Sequence, residues 1–179
     1  MIRRVLRILL IGTTLVVGLI ASGLAYFAYT RFFRYQAAVD AIYENIPAEE
    51  HRLSAAVRGV LEKTEPDSVR TSVVSRSLLS QLAPGHVRMG EWNLRGMLWV
   101  CLLPWRFGPE QRLVLFAHEL PFEGGFGLTY GARRYFGKRP SQLSESEALQ
   151  LVTRSFSPRN PDVFQQRLEI MTQRYRTGR

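Results

Sequence analysis

The chain has 179 residues, 24 of them basic and 15 acidic, for a net charge of +9, and it carries a single cysteine, Cys101. That length suits one domain with a core of its own rather than a multidomain array. One cysteine excludes an intramolecular disulfide framework and any multi-cysteine zinc site. Cys101 lies in the apolar stretch Met97 to Leu103, where a buried structural thiol is expected.

The first element is an apolar run from Ile8 to Tyr29 that contains no charged residue. As a helix it would extend roughly 33 Å, about the hydrocarbon thickness of a bilayer. Arg3, Arg4 and Arg7 precede it, while Arg31 and Arg34 follow. A basic N-terminal flank favours a cytoplasmic N-terminus and puts the rest of the chain on the far side. The expected division is a tail over 1–7, a transmembrane anchor over 8–30 and a globular domain over 31–179. Tyr26, Phe27, Tyr29, Phe32 and Phe33 fall where aromatic side chains collect at a membrane interface. A cleaved signal peptide is the alternative, because Ala21, Gly23 and Ala25 are small enough for a cleavage site. The apolar run is longer than a usual signal core, so the working picture is a bacterial inner-membrane anchor with a periplasmic domain.

Beyond the anchor the chain keeps 21 of its 24 basic residues and all 15 acidic ones, a net charge of +6. Such an excess suits an anionic surface, whether phospholipid headgroups, a lipid-linked diphosphate or nucleic acid. The periodicity is helical throughout. Gln36 to Asn45 and Ala48 to Lys63 repeat apolar residues at three- and four-residue spacing, with Pro47 between them suited to a first helical turn. Ser72 to Leu82 reads as a short helix stopped by Ala83-Pro-Gly85, with Ser72 placed to cap it. Trp92 to Phe107 is apolar almost all round and reads as a buried central helix that Pro104 kinks or ends early. Trp92, Trp99 and Trp105 on it suit core packing or contact with a membrane.

Pro109 opens a helix to about Leu120, Phe122-Glu-Gly-Gly-Phe126 is a glycine turn, and a helix over 128–136 is closed by Gly137. Ser144 and Glu147 form a capping box before Ala148 to Val152. Ser157 to Pro161 is a loop, and Pro161 starts a final amphipathic helix to about Tyr175. No strand is convincing, so the domain is expected to be all-α.

Two kinds of residue are candidates for chemistry. Glu62, Glu110 and Glu119 fit a solvated face, and His118 beside Glu119 makes no dyad because adjacent helical residues point in different directions. His51, His86 and His118 show no metal-ligand spacing. No aromatic residues alternate with basic ones as in a single-strand nucleic-acid groove, so nucleic acid is not an expected partner.

The sharpest local sequence is Tyr130-Gly-Ala-Arg-Arg-Tyr-Phe-Gly-Lys138. It continues through Gln142 to Leu149, Ser157-Pro-Arg-Asn-Pro161 and Arg167-Leu-Glu-Ile-Met171. In order and spacing this run, with Pro121-Phe122 and Gly124-Gly125 before it, resembles the peptidoglycan glycosyltransferases of family 51. The corresponding family run reads approximately "AARRYFGK…LTLAEAALLA…SP…NP…RR..VL..M". The resemblance extends over residues 36–176 and better explains the Arg133-Arg134 pair than nucleic-acid recognition does. It implies a lysozyme-like helical domain at the outer face of the inner membrane. Members polymerise lipid II, a disaccharide-peptide joined through diphosphate to a polyprenol. One glutamate serves as general base, and basic side chains, commonly with a divalent metal such as Mg, stabilise the leaving diphosphate.

Carried over residue by residue, the catalytic half is worn. The family's "GGSTITQQ" falls on Arg70 to Ser77, where only Ser72 matches, as a surviving contact to the substrate diphosphate, and the lysine that follows falls on Ser80. Arg88 and Arg95 match basic positions of the diphosphate site, but the second glutamate falls on Gly96. The first, from an "EDxxFxxHxG" motif, falls on Val39, with Asp40 beside it as the one candidate replacement base. The resemblance therefore implies a catalytically impaired domain that binds lipid II, nascent glycan or a peptidoglycan synthase. The alternative is an active polymerase with a rebuilt site, and a third reading is an unrelated membrane-bound helical protein. An enzyme would set a carboxylate across an open cleft from Arg88 and Arg95. An impaired domain would leave Val39 and Gly96 at the glutamate positions with no acid nearby.

Overall fold

The computed structural model describes residues 2–83, 85, 88–156 and 161–178, with side chains from residue 9 onward. It divides into two compact units, 1–38 and 39–179. The first holds α1 (Ile2–Arg31), a continuous helix long and apolar enough to cross a membrane. Thr13, Thr14 and Thr30 donate their hydroxyls to carbonyls four residues back, so these three hydroxyls are satisfied within the helix. A short 3-10 turn over Phe33–Tyr35 follows.

The second unit is helical apart from one small ribbon. Its elements are α2 (Gln36–Glu44, which begins in the first unit), α3 (Ala48–His51), α4 (Ala55–Thr64), α5 (Asp67–Leu82), α6 (Met89–Arg106) and α7 (Pro109–Glu119). A two-stranded antiparallel ribbon, β1 (Pro121–Phe122) and β2 (Gly125–Phe126), leads to α8 (Leu128–Phe136), α9 (Glu145–Phe156) and α10 (Pro161–Thr177). The expected all-helical character is present, and the glycine turn is the hairpin of that ribbon. The loop expected over 157–160 lies outside the described residues.

Several boundaries differ from expectation for local reasons. The helix expected over 48–63 is broken at Arg52, and Ser54 caps the second piece by accepting from Val57 N. The helix expected from Ser72 starts at Asp67 behind Pro66, so Ser72 is an interior, half-buried residue and not a cap. Pro104 does not end α6, which runs on to Arg106. The close of α8 is as expected: Gly137 takes φ +66 and its N–H bonds to Arg133 O. The capping box is also present, Glu147 accepting from Ser144 N at 2.9 Å and Ser144 Oγ accepting from Glu147 N at 3.2 Å.

The core is made by α4, α5, α7 and α9, whose Val57, Val60, Leu61, Val74, Leu78, Leu79, Leu115, Phe116, Leu151 and Val152 are fully or nearly fully buried. Charged groups at its edge are held by the backbone. Arg70 donates to Leu61 O and Glu65 O, Arg112 donates to Phe107 O, and both guanidiniums reach Asp67. Gly131 is a packing requirement. A Cβ there would sit 2.6 Å from the Phe122 ring and 2.9 Å from Leu151, so α8 approaches its neighbours only because the residue has no side chain.

The central helix expected to be buried on all sides is not. In α6 only Arg95, Trp99 and Leu103 are buried, and Cys101, expected to be a buried thiol, is exposed. A helix that packs against neighbours on one side buries one stripe, whatever its composition.

Candidate functional site

The residues singled out from the sequence do not assemble into one site. Asp40 is bound to Arg106 at 2.8 Å, on the surface. Arg95 is buried against the body of the unit and binds Glu91 of its own helix at 2.5 Å. Arg88 stands just before α6 and is exposed, and Ser72 sits inside α5. Val39 is buried, and Gly96 has open space where a side chain would begin. Glu91, on the same helix as Arg95, is bound to it. A divalent cation bridging a diphosphate needs carboxylate oxygens it can share, and this set does not fit one.

Glu119, expected on a solvated face, is buried and accepts from Ser77 Oγ and from Gln81 Nε2, the latter at 2.8 Å. Glu62 and Glu110 are surface residues on either side of Arg58. His118 and Glu119 do point apart, as expected. Glu119 turns to α5, and His118 turns to a carboxylate that sequence reasoning missed.

That carboxylate is Glu50. Pro47 starts α3 with φ −53 and ψ 137, and the one-turn helix places Glu49 outward and Glu50 inward. Glu50 is 1% exposed. One of its oxygens accepts from Thr129 N at 2.7 Å, and the other meets His118 Nδ1 at 2.9 Å. Thr129 lies in the first turn of α8, where backbone N–H groups lack helical partners and the helix dipole favours negative charge. Glu50 thus caps α8 from a distance. Gly127 makes room for it: its φ is +91, and a Cβ there would lie 2.9 Å from Glu50 Oε1.

His118 belongs to the last turn of α7, where a cation is favoured by the carbonyl end of the helix. Its pKa is raised, mainly by the hydrogen bond to Glu50; partial burial opposes this, and the charges of Glu50 and Glu119 add to the rise. The imidazole therefore holds its proton more tightly than an ordinary histidine does, against the Glu50 carboxyl.

Around this pair opens a cleft of about 680 Å³, lined by Glu50 and His118 together with Phe126, Tyr130, Arg133 and Arg134. Phe126 is 67% exposed, so an apolar ring faces the opening. Arg133 is solvent-facing and lies 3.5 Å from Glu49. Arg134 is exposed, and no acidic group pairs with it among the described residues. Tyr130 donates its hydroxyl to Glu123 O, and its ring packs over Gly124 and Gly125, which fixes the wall. With both Glu50 oxygens occupied and the residue sealed, the pair is poorly placed to accept a substrate proton. The two arginines, with His118 beside them, instead suit the binding of an anion beside aromatic surface.

The sequence signals for this site were partial. Arg133 and Arg134 stood out, but nothing separated Glu50 from its neighbour Glu49. No protein-family model matches the chain, and no curated protein matches it in sequence.

Proposed function

We propose that the chain is a membrane-anchored, family-51-like domain of lysozyme-like helical arrangement, working in peptidoglycan synthesis as a binding module rather than as a polymerase. The retained anchor would put the N-terminus in the cytoplasm and the domain in the periplasm of a bacterial inner membrane. The observation that carries the reading is the pairing of Asp40 and Arg95 with each one's own neighbour, beside two glutamate positions that hold no acid. Asp40 is held by Arg106, Arg95 by Glu91, and the two glutamate positions carry a buried valine and a glycine. Arginines alone cannot accept the proton of an attacking hydroxyl.

The ligand class follows from the cleft. Arg133 and Arg134, with His118 beside them, offer positive charge, and Phe126 and Tyr130 offer ring surface, which together suit a sugar carrying a phosphate or diphosphate, as in lipid II. A synthase or a nascent glycan strand would be the partner such a bound precursor is handed to or taken from.

The test is polymerisation of lipid II by the full-length protein in detergent with divalent metal, beside an active glycosyltransferase as control. The expected result is no glycan from this chain, with lipid II binding weakened by Arg134→Ala. Glycan formation that Asp40→Ala or Arg95→Ala abolishes would overturn the reading and establish a rebuilt active site.

A further inference from the structure

Helix α6 is amphipathic in the reverse sense. An ordinary surface helix turns apolar side chains inward and charges outward. The buried stripe of α6 is Arg95, Trp99 and Leu103, four residues apart. Its charged residues, Glu91, Arg95 and Arg106, all fall on or beside that stripe at 100° per residue. The opposite face carries Leu94, Met97, Cys101 and Trp105, at three- and four-residue spacing, with no charge among them. Leu94 is 54% exposed, Met97 67% and Trp105 88%. Large apolar side chains aligned and exposed over three turns mark a surface that is covered in the working protein.

We infer that this outward face of α6 lies in the headgroup and acyl boundary of the bilayer, rather than in water. The inference rests on the reading of α1 as a retained membrane span. Three observations favour a bilayer as occupant. Residues 32–38 alone separate the end of α1 from the second unit, and a seven-residue chain reaches at most about 25 Å, so the unit stays close to the membrane. The face mixes aliphatic residues with Trp105, whose ring suits the interface, and its uncharged character suits acyl chains. Arg88 stands exposed just before the helix, where a cationic group meets anionic headgroups. The helix lies on the membrane and does not cross it, since Glu91 and Arg95 sit within its length.

Cys101, at the middle of the face and alone in the chain, allows a direct test. The full-length protein, labelled there with an environment-sensitive fluorophore, is reconstituted into vesicles of phosphatidylethanolamine and phosphatidylglycerol. Quenching by doxyl-labelled lipid is compared with quenching by aqueous iodide. Doxyl quenching should dominate, and the preference should invert in Leu94→Glu/Met97→Glu. A control label at Ser146→Cys in a Cys101→Ser background, on the exposed start of α9, should be quenched by iodide. Iodide quenching at Cys101 would overturn the inference. So would protection from both quenchers together with Cys101-to-Cys101 cross-linking that rises with protein density, which would make the face a contact between copies. Alkaline extraction of the same vesicles reads the anchor separately. Protein that stays in the membrane with an iodide-accessible Cys101 defeats only the α6 inference, and protein that is extracted defeats the span.

Discussion

Glu50 joins three elements, so its removal tests how the cleft is held together. In Glu50→Ala the buried first-turn N–H of Thr129 loses its acceptor, and His118, whose side chain is 31% exposed, loses its partner carboxylate. Hydrogen bonds to a charged group contribute about 1.5–3 kcal/mol each, and breaking a buried pair from one side costs about 3–5 kcal/mol. The expected loss is therefore about 4 kcal/mol. At roughly 3 °C per kcal/mol for a domain near this size, the midpoint should fall by about 12 °C. Glu50→Gln keeps an acceptor for Thr129 N and can donate to neutral His118, so it should lose only the charge-assisted part, about 1–2 kcal/mol. The assay is thermal unfolding of the full-length protein in detergent, followed by helical circular dichroism across a pH series.

The pH series adds a sign. The folded pKa of His118 is raised, so the folded state binds its proton more tightly than the unfolded state does. The resulting stabilisation is fully present below the ordinary histidine value, about 6.5. It is lost as pH rises through the higher folded value. Glu50→Gln and His118→Gln should both flatten this alkaline decline. Two results would refute the argument: Glu50→Ala within about 1 kcal/mol of the parent, or a decline unchanged in both variants.

Other substitutions test separate parts of the structure. Gly131→Ala should destabilise by about 1–3 kcal/mol, since its methyl group meets Phe122 and Leu151 inside contact distance; chemical denaturation with an unchanged slope would show it. Gly96→Ala should do the opposite, stabilising by about 0.5–1 kcal/mol, because the position is helical and open; a loss of stability there would mean the space is filled. The pKa of Glu147 is lowered to about 2 by Lys138 first and then by Ser144, so its share of stability is present above the ordinary carboxylate value and fades as pH falls toward the lowered one. Glu147→Gln should remove that acid-side dependence in the same unfolding series.

Much of the fold was legible because its signals are local. The Gly137 stop, the Ser144–Glu147 box and Pro109 at a helix start each act within one turn of chain, and the apolar run to Tyr29 is continuous in sequence. Boundaries went astray where a competing local feature was weak in sequence, as at Arg52 or ahead of Ser72. The cleft was only half legible. Arg133 and Arg134 were visible as a pair, yet Glu50 and His118 are 68 positions apart and Thr129 lies further along the chain.

What the sequence determined by itself was the helical class, the apolar helix long enough to cross a membrane, the single thiol and the excess of positive charge, all set by composition and short-range periodicity. The tertiary structure alone decided which side chains are sealed. It buried Glu50 and Glu119, tied Arg95 to its own helix, and left Cys101 and Trp105 facing outward. The reason is that burial depends on what packs against a helix. A residue pattern can report that α6 is apolar all round, but only its neighbours select the face that is covered.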